Sequence, residues 1–303
     1  MKILVTGASG LVGSALVPML VDAGHTVCRL TRPGQREDQG AAGFAVTWDP
    51  STGELGGAAV GPDAVINLAG APIADQRWTS ARKELLRGSR VNTTRAMVAA
   101  LAQMNARPRV LISASATGIY GDRGDEFLTE ESKPGENFLA ELARDWEAEA
   151  VKAEAMGIRV VRARFGIIFA RHGGALQKMM VPFRIGLGGK LGTGEQWMSW
   201  ITLHDATSML RFALENAAVT GAINVVSPQP VRNAEFTKAL GTAMRRPAVL
   251  AAPAFALRLA MGEMADGALL ASQRAVPKAM EKMGFQFQHV DVAVALNAVL
   301  NEK

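Results

Sequence analysis

Residues 2–31 read KILVTGASGLVGSALVPMLVDAGHTVCRLT, and this stretch decides the fold. KILVTG is short, apolar and ends at a glycine, as a buried strand does. LVGSALVPMLVDAG then places apolar side chains at helical spacing and stops at Gly24, a residue suited to the left-handed turn that closes a helix. HTVCRLTR returns to β-branched, apolar composition. Strand, glycine-rich turn, helix and strand within about 30 residues make one βαβ unit.

Between the first strand and the helix lies Gly7-Ala8-Ser9-Gly10-Leu11-Val12-Gly13, a G-x-x-G-x-x-G. Its position gives the pattern meaning, because glycine patterns alone are weak. The glycines permit a tight turn and close approach of a pyrophosphate, whose charge the N–H groups and dipole of the helix start favour. Gly7, Ser9, Gly10, Leu11, Val12 and Gly13 are therefore the expected cofactor-binding residues. The plainer alternative is a glycine turn that only packs helix on strand.

The end of the second strand selects the dinucleotide. An acid there would bind the ribose 2′-hydroxyl of NAD. This chain has Thr31-Arg32, with Arg36 close by and no acid before Glu37. Arg32 can stack on adenine and pair with a 2′-phosphate, so the expected cofactor is NADP(H). An ordinary surface arginine is the alternative. Asp49, in TWDP, suits either acceptance from the adenine amino group or turn chemistry. Leu68, Ala69 and Gly70, following AVIN, are expected against the cofactor, where small residues let a ligand approach; tight packing is the alternative.

Outward from this unit the alternation continues. DAVINLAG reads as a strand, 80–104 as one long helix, RVLISAS as a strand, 138–156 as a helix, and IRVVRARFGIIF as a strand running into a loop. Apolar strands alternating with helices predict a Rossmann-type, doubly wound parallel α/β sheet covered on both faces. After about residue 170, glycine, proline and methionine become frequent. WMSWITL reads as a strand, HDATSMLRFALEN as a helix, GAINVV as a strand and GFQFQ as a further strand among C-terminal helices. The expected organisation is a dinucleotide-binding unit over 1–170 with contributions from about 199–226. A smaller, mainly helical substrate-side lobe over 171–303 is interwoven with it.

Composition narrows the function classes. The chain has 303 residues, 49% hydrophobic and 20% charged, enough for a substantial core. Cys28 is the only cysteine, so no internal disulfide is possible, and a reducing compartment fits. His25, His172, His204 and His289 are scattered without metal-ligand spacing, so no metal is expected. The net charge of +5 comes from Lys and Arg spread along the chain, which reads as solvated basic surface rather than a nucleic-acid site. No run approaches a membrane span or a signal segment, and a soluble cytoplasmic protein is expected.

VTGASGLVGSAL, NLAGAPIADQRW, SASATGIYGDRGDE, FLAELARDWEAEA, GLGGKLGTGEQWMSWI, AINVVSPQPVRNAEFTKAL and MGEMADGALLASQRAVPKAMEKMGFQF span nearly the whole chain. Together they resemble the extended short-chain dehydrogenase/reductase superfamily. Within it they resemble the NAD-dependent epimerase/dehydratase-like subgroup, sometimes labelled as SulA-type homologues, including its C-terminal segment. The resemblance implies an extended Rossmann domain, NADP(H) binding, a small lobe above the nicotinamide and, by analogy, a homodimer through helices flanking the active-site strand.

That superfamily usually carries a tyrosine and, four residues later on the same helix face, a lysine that together move a proton. Here Tyr120 is the only tyrosine and is followed by Gly-Asp-Arg-Gly. Phe138 and Leu142 are the counterparts expected in the helix where the dyad belongs. Catalytic candidates that remain are Ser115 as a substrate-polarising serine (with Thr117 second), Tyr120 as a substitute acid, and His204 as acid or base. Against these stand strand capping for the serines, packing for Tyr120, and helix capping beside Asp205 for His204. Ser113 and Arg164 are expected near the cofactor, Arg164 alternatively in a buried ion pair. Met198 stands where sugar-nucleotide enzymes place a phosphate-binding arginine, while Trp197 and Trp200 suit either an apolar substrate pocket or core. Arg77-Trp78 and Ser89-Arg90 match the subgroup without a derivable role.

The function expected is an NADP(H)-dependent oxidoreductase acting on a small molecule. A non-catalytic NADP(H) sensor or scaffold is the alternative, and a nucleotide-sugar epimerase or dehydratase comes third.

Overall fold

In the computed structural model, residues 1–34, 42–53, 55 and 61–301 are described, and Arg36 and Glu37 lie outside them. The strands are β1 (Lys2–Thr6), β2 (Thr26–Thr31), β3 (Phe44–Thr47), β4 (Ala64–Asn67), β5 (Val110–Ala116), β6 (Phe127–Leu128), β7 (Arg159–Phe165), β8 (Ile167–Phe169), β9 (Gly189–Leu191), β10 (Trp197–Met198), β11 (Trp200–Thr202), β12 (Gly221–Val225), β13 (Val231–Arg232), β14 (Leu250–Ala252) and β15 (Arg274–Ala275). The helices are α1 (Leu11–Asp22), α2 (Ser80–Arg87), α3 (Thr93–Ala102), α4 (Phe138–Val151), α5 (Gly174–Arg184), α6 (Leu203–Glu215), α7 (Asn233–Met244), α8 (Ala254–Met261), α9 (Lys278–Lys282) and α10 (Val292–Asn301).

Seven strands form one parallel sheet in the order β3-β2-β1-β4-β5-β7-β12. Alternation along each strand divides the core into two layers. Ile3, Val5, Ile66, Ile112 and Val161 face α1 and α6, meeting Leu16, Leu20, Met209 and Leu210. Leu4, Cys28, Val65, Leu111 and Val160 face the opposite way, meeting Met97 and Leu101 of α3 and Ala150 of α4. Both faces are thus buried, which is why the strands are near-continuous in apolar residues. Burial pushes the Cys28 thiol up to about 11. The strand order reverses between β1 and β4, and an open sheet of this kind binds ligands in the crevice at such a switch point.

The expected helix over 80–104 runs as α2, a π-helical turn over Gly88–Asn92, and α3. Such turns are rare and recur beside functional sites.

Three strand expectations need correction. IRVVRARFGIIF breaks at Gly166 into β7 and β8, and β8 leaves the main sheet to pair with β11. A Cβ at position 166 would lie 2.5 Å from the Ser199 carbonyl oxygen, so only glycine allows the crossing. WMSWITL is two strands, β10 pairing with β13 and β11 with β8. GFQFQ forms no strand. Phe285 packs edge-on against Phe287 and Phe212, its N–H goes to the Met280 carbonyl, and the Asp205 carboxylate accepts the N–H groups of Gln288 and His289.

Residues after 170 build a further core around Phe169, Met180, Trp200, Phe236 and Leu296. Met280 and Phe285 return to the core beneath α1 and α6. Among the described residues, no helix is long and apolar enough to cross a membrane, and no group of three or more His, Cys, Asp or Glu is placed to hold a metal.

Candidate functional site

The glycine turn is shaped by contacts that no side chain would permit. Gly7 has φ +64°, and a Cβ there would meet the Leu68 carbonyl oxygen at 2.6 Å. A Cβ on Gly13 would lie 2.3 Å from the Gly7 carbonyl oxygen, so α1 packs directly on the turn. Gly10 immediately precedes α1, at the cap position, and has no side chain to cap it. The first N–H groups of α1 are therefore open to an anion, as a phosphate site requires. Behind the turn, the Thr6 hydroxyl donates to Asn67 Oδ1 (2.7 Å) and accepts from the Leu68 N–H (3.1 Å), tying β1 to β4.

Above this turn opens a cleft of about 710 Å³. Gly7, Ser9, Gly10, Arg32, Leu68, Ala69 and Gly70 line it. Leu11, Val12 and Gly13 do not; they form the start of α1 beneath it, and Gly13 is buried. Sequence reasoning missed Arg29, Trp48, Pro50, Leu85, Ser89 and Thr93, which also line it. The last three come from the π-turn region, which a uniform helical period conceals. The described lining contains two arginines and no carboxylate.

Asp49 is partly exposed and outside this lining. Its carboxylate accepts from the Ser51 N–H (2.8 Å) and hydroxyl (2.7 Å), which holds its pKa below the usual range. Of its two expected roles, these bonds are those of the turn. Ser113, expected near the cofactor, is placed elsewhere. It is 1% exposed and accepts from Asn67 Nδ2 at 3.4 Å, below the floor rather than facing the cleft.

Two of the catalytic candidates, Ser115 and Tyr120, are brought together, but in a sealed network. Ser115 donates to Glu147 Oε1 at 2.7 Å. Glu147 also accepts from Arg164 Nε (2.7 Å) and Nη2 (2.9 Å) and from Arg162 Nη1 (3.1 Å). Arg164 Nη1 donates to the Tyr120 hydroxyl (3.0 Å), which donates to Asn224 Oδ1 (2.6 Å). Every one of Ser115, Tyr120, Glu147, Arg164 and Asn224 is buried. Burial raises the Tyr120 pKa above that of a free tyrosine, despite the opposing charge of Arg164. Tyr120 and Ser115 thus have neither access nor a free hydroxyl, and Arg164 is an ion-pair partner rather than a cofactor contact. Glu147 gave one signal in sequence: it shares the buried face of α4 with Ala140, Ala143 and Ala150.

His204 lies apart, half-exposed on α6, with Nδ1 3.5 Å from Asp205 and its ring edge-on to His289. Thr202, not His204, caps α6, accepting from the Asp205 N–H. Phe138 opens α4 against Trp78 (5.3 Å between ring centroids), and Leu142 is buried, so no proton passes at the dyad positions. Met198 is buried, with its sulfur accepting from Asn233 Nδ2. Trp200 is core, stacked on Phe169. Trp197 lies against the guanidinium groups of Arg232 and Arg274.

Residues 3–226 match the model of the NAD dependent epimerase/dehydratase family. The chain belongs to this family. Residues 252–299 match a second model, described as a domain of unknown function (DUF1731). Among curated relatives, epimerase family protein Mb2239 of Mycobacterium bovis is 43% identical over 97% of this chain and 96% of its own length. YfhF of Bacillus subtilis is 38% identical over 100% and 99%. Among solved structures, human epimerase family protein SDR39U1 (isoform 2), crystallised with NADPH, covers 100% of both chains at a TM-score of 0.88 and 29% identity.

Proposed function

We propose that this family member binds NADP(H) in the switch-point cleft and uses it as an oxidoreductase on a small molecule. The observation that carries the reading is the cleft's charge: Arg29 and Arg32 at the end of β2, and no carboxylate among the described lining residues to meet a ribose 2′-hydroxyl. The NADPH in the human relative's structure supports it. The residues fit the group. Gly7 and Gly10 leave room and open N–H groups for a diphosphate, Arg32 suits a 2′-phosphate, and Leu68–Gly70 form a close wall.

The cofactor, when bound, supplies hydride transfer. The chain's part is to hold and orient, which alone removes much of a barrier. Proton transfer falls to solvent or substrate, because Tyr120 and Ser115 are sealed and Phe138 and Leu142 carry no proton. The same sealing favours a second reading, a cofactor-binding sensor without turnover. A nucleotide-sugar reading has less support, since a buried methionine, Met198, occupies the phosphate-binding arginine's place.

Calorimetric titration with NADPH and NADH tests the binding claim. NADPH is expected to bind more tightly, and Arg32→Ala to weaken NADPH by about tenfold or more while leaving NADH unchanged. Binding of neither dinucleotide refutes the reading. Oxidation of NADPH with a carbonyl panel then separates enzyme from sensor.

A further inference from the structure

The loop after β4 has no regular structure, yet four consecutive carbonyls in it are each held by a side chain. Arg90 Nη2 donates to Ala71 O (2.8 Å), Arg82 to Pro72 O, Trp78 Nε1 to Ile73 O (3.0 Å), and Lys178 Nζ to Ala74 O (2.9 Å). Of the three cations, Lys178 also pairs with Asp75. Among the described residues, Arg82 and Arg90 have no carboxylate within ion-pair distance, and Arg82 Nε is buried with no hydrogen-bond partner.

Arg90 is the unusual member. It sits in the π-turn, is only 9% exposed, and lies over the Trp146 ring at 5.3 Å. It also donates to Leu86 O and the Ser89 hydroxyl. A Cβ on Gly70 would come within 3.1 Å of its Cζ, so the guanidinium lies directly beneath Gly70. Gly70 lines the cleft, and its neighbour Leu68 touches the glycine turn at Gly7. A fixed positive charge therefore stands one chain-thickness below the wall that faces the turn. Burial and the nearby charge of Arg82 push its guanidinium down to about 10, still protonated at neutral pH. A buried charge without a counter-ion is unfavourable, and an anion bound across Gly70 relieves it.

We propose that Arg90 is a positioning residue for the dinucleotide's diphosphate, fixing the Gly70–Ala71 wall and supplying countercharge from beneath it. This rests on the dinucleotide reading but is separable from it. Arg32 faces a group that only NADP(H) has, whereas Arg90 acts on one that NADPH and NADH share. Arg90→Gln is therefore expected to weaken both by about tenfold, a usual size for one buried interaction with a charge, and to leave their ratio intact. Arg90→Lys, keeping the charge, is expected to recover most of the loss. The gain in melting temperature on adding NADPH is expected to shrink in Arg90→Gln; a purely structural residue would lower the ligand-free melting temperature and keep that gain.

Calorimetry and thermal melts of the full chain with NADPH and NADH decide it. Wild-type affinity in Arg90→Gln, a loss confined to NADPH, or Arg90→Lys as weak as Arg90→Gln would each overturn the proposal. A wild-type chain that binds neither dinucleotide would overturn the cofactor reading, and this with it.

Discussion

Tyr120 shows how one residue's role is decided by its surroundings. As the chain's only tyrosine in a superfamily that relies on one, it invites a catalytic reading. Its hydroxyl instead closes a bridge from Arg164 to Asn224, joining β7 to β12. Tyr120→Phe is expected to cost about 1–3 kcal/mol, because it leaves Asn224 Oδ1 and an Arg164 N–H buried without a partner. NADPH affinity should not change. Urea unfolding and calorimetry on the same variant measure both, and lost affinity with unchanged stability would return Tyr120 to the site. The residues legible in sequence were those fixed by local geometry, such as Gly7 and Gly10. Ser113, Ser115 and Arg164 were not, because what they touch comes from Asn67 and Glu147, far along the chain.

At the scale of elements, α4 has exchanged one task for another. Its first turns hold Phe138 and Leu142 where a proton-transfer pair would stand, and its later turns hold two buried glutamates. Glu147 locks β5 and β7 beneath it, while Glu149 accepts from Arg95 and Lys152. Burial works to raise the Glu149 pKa, but the bonds from Arg95 and Lys152 outweigh it and leave it lowered. A carboxylate lowered by folding stabilises the native state above its unfolded pKa and loses that contribution as pH falls through the folded value. Stability is therefore expected to decline below about pH 5, and Glu149→Gln to flatten that decline. Denaturant midpoints measured across that range check it, and parallel curves for the two proteins would exclude the pair.

The repeating βαβ elements were readable because buried strands and amphipathic helices have distinct periods. The π-turn and the break at Gly166 were not, since the second is set by the Ser199 carbonyl from another part of the chain.

At the scale of the molecule, the crevice follows from strand order alone: β1 and β4 are neighbours, and the connections depart to opposite sides. The described lining of that crevice comes from the carboxyl ends of β1, β2, β3 and β4 and from around the π-turn. Sequence reading located the contributions of β1, β2 and β4 and missed Trp48 and Pro50 after β3 and the π-turn. The family match ends at Val226, one residue past β12 of the main sheet, and the C-terminal match contributes Met280 and Phe285 to the same core.

Cys28 adds a practical consequence. It is the one thiol in the chain, fully buried in β2, four residues before Arg32. A thiol so enclosed, with its pKa pushed up to about 11, is inert to maleimides and disulfide reagents until the sheet opens. The natural protein is thus a ready background for labelling, because a cysteine introduced on its surface would be the sole fast-reacting site. Cys28 itself serves as a clock for opening at the adenosine end of the cleft. Its modification is expected to be slow in buffer, rapid in denaturant, and slower still with NADPH present. Rapid modification of the native protein would show that β2 is far less enclosed than its packing implies.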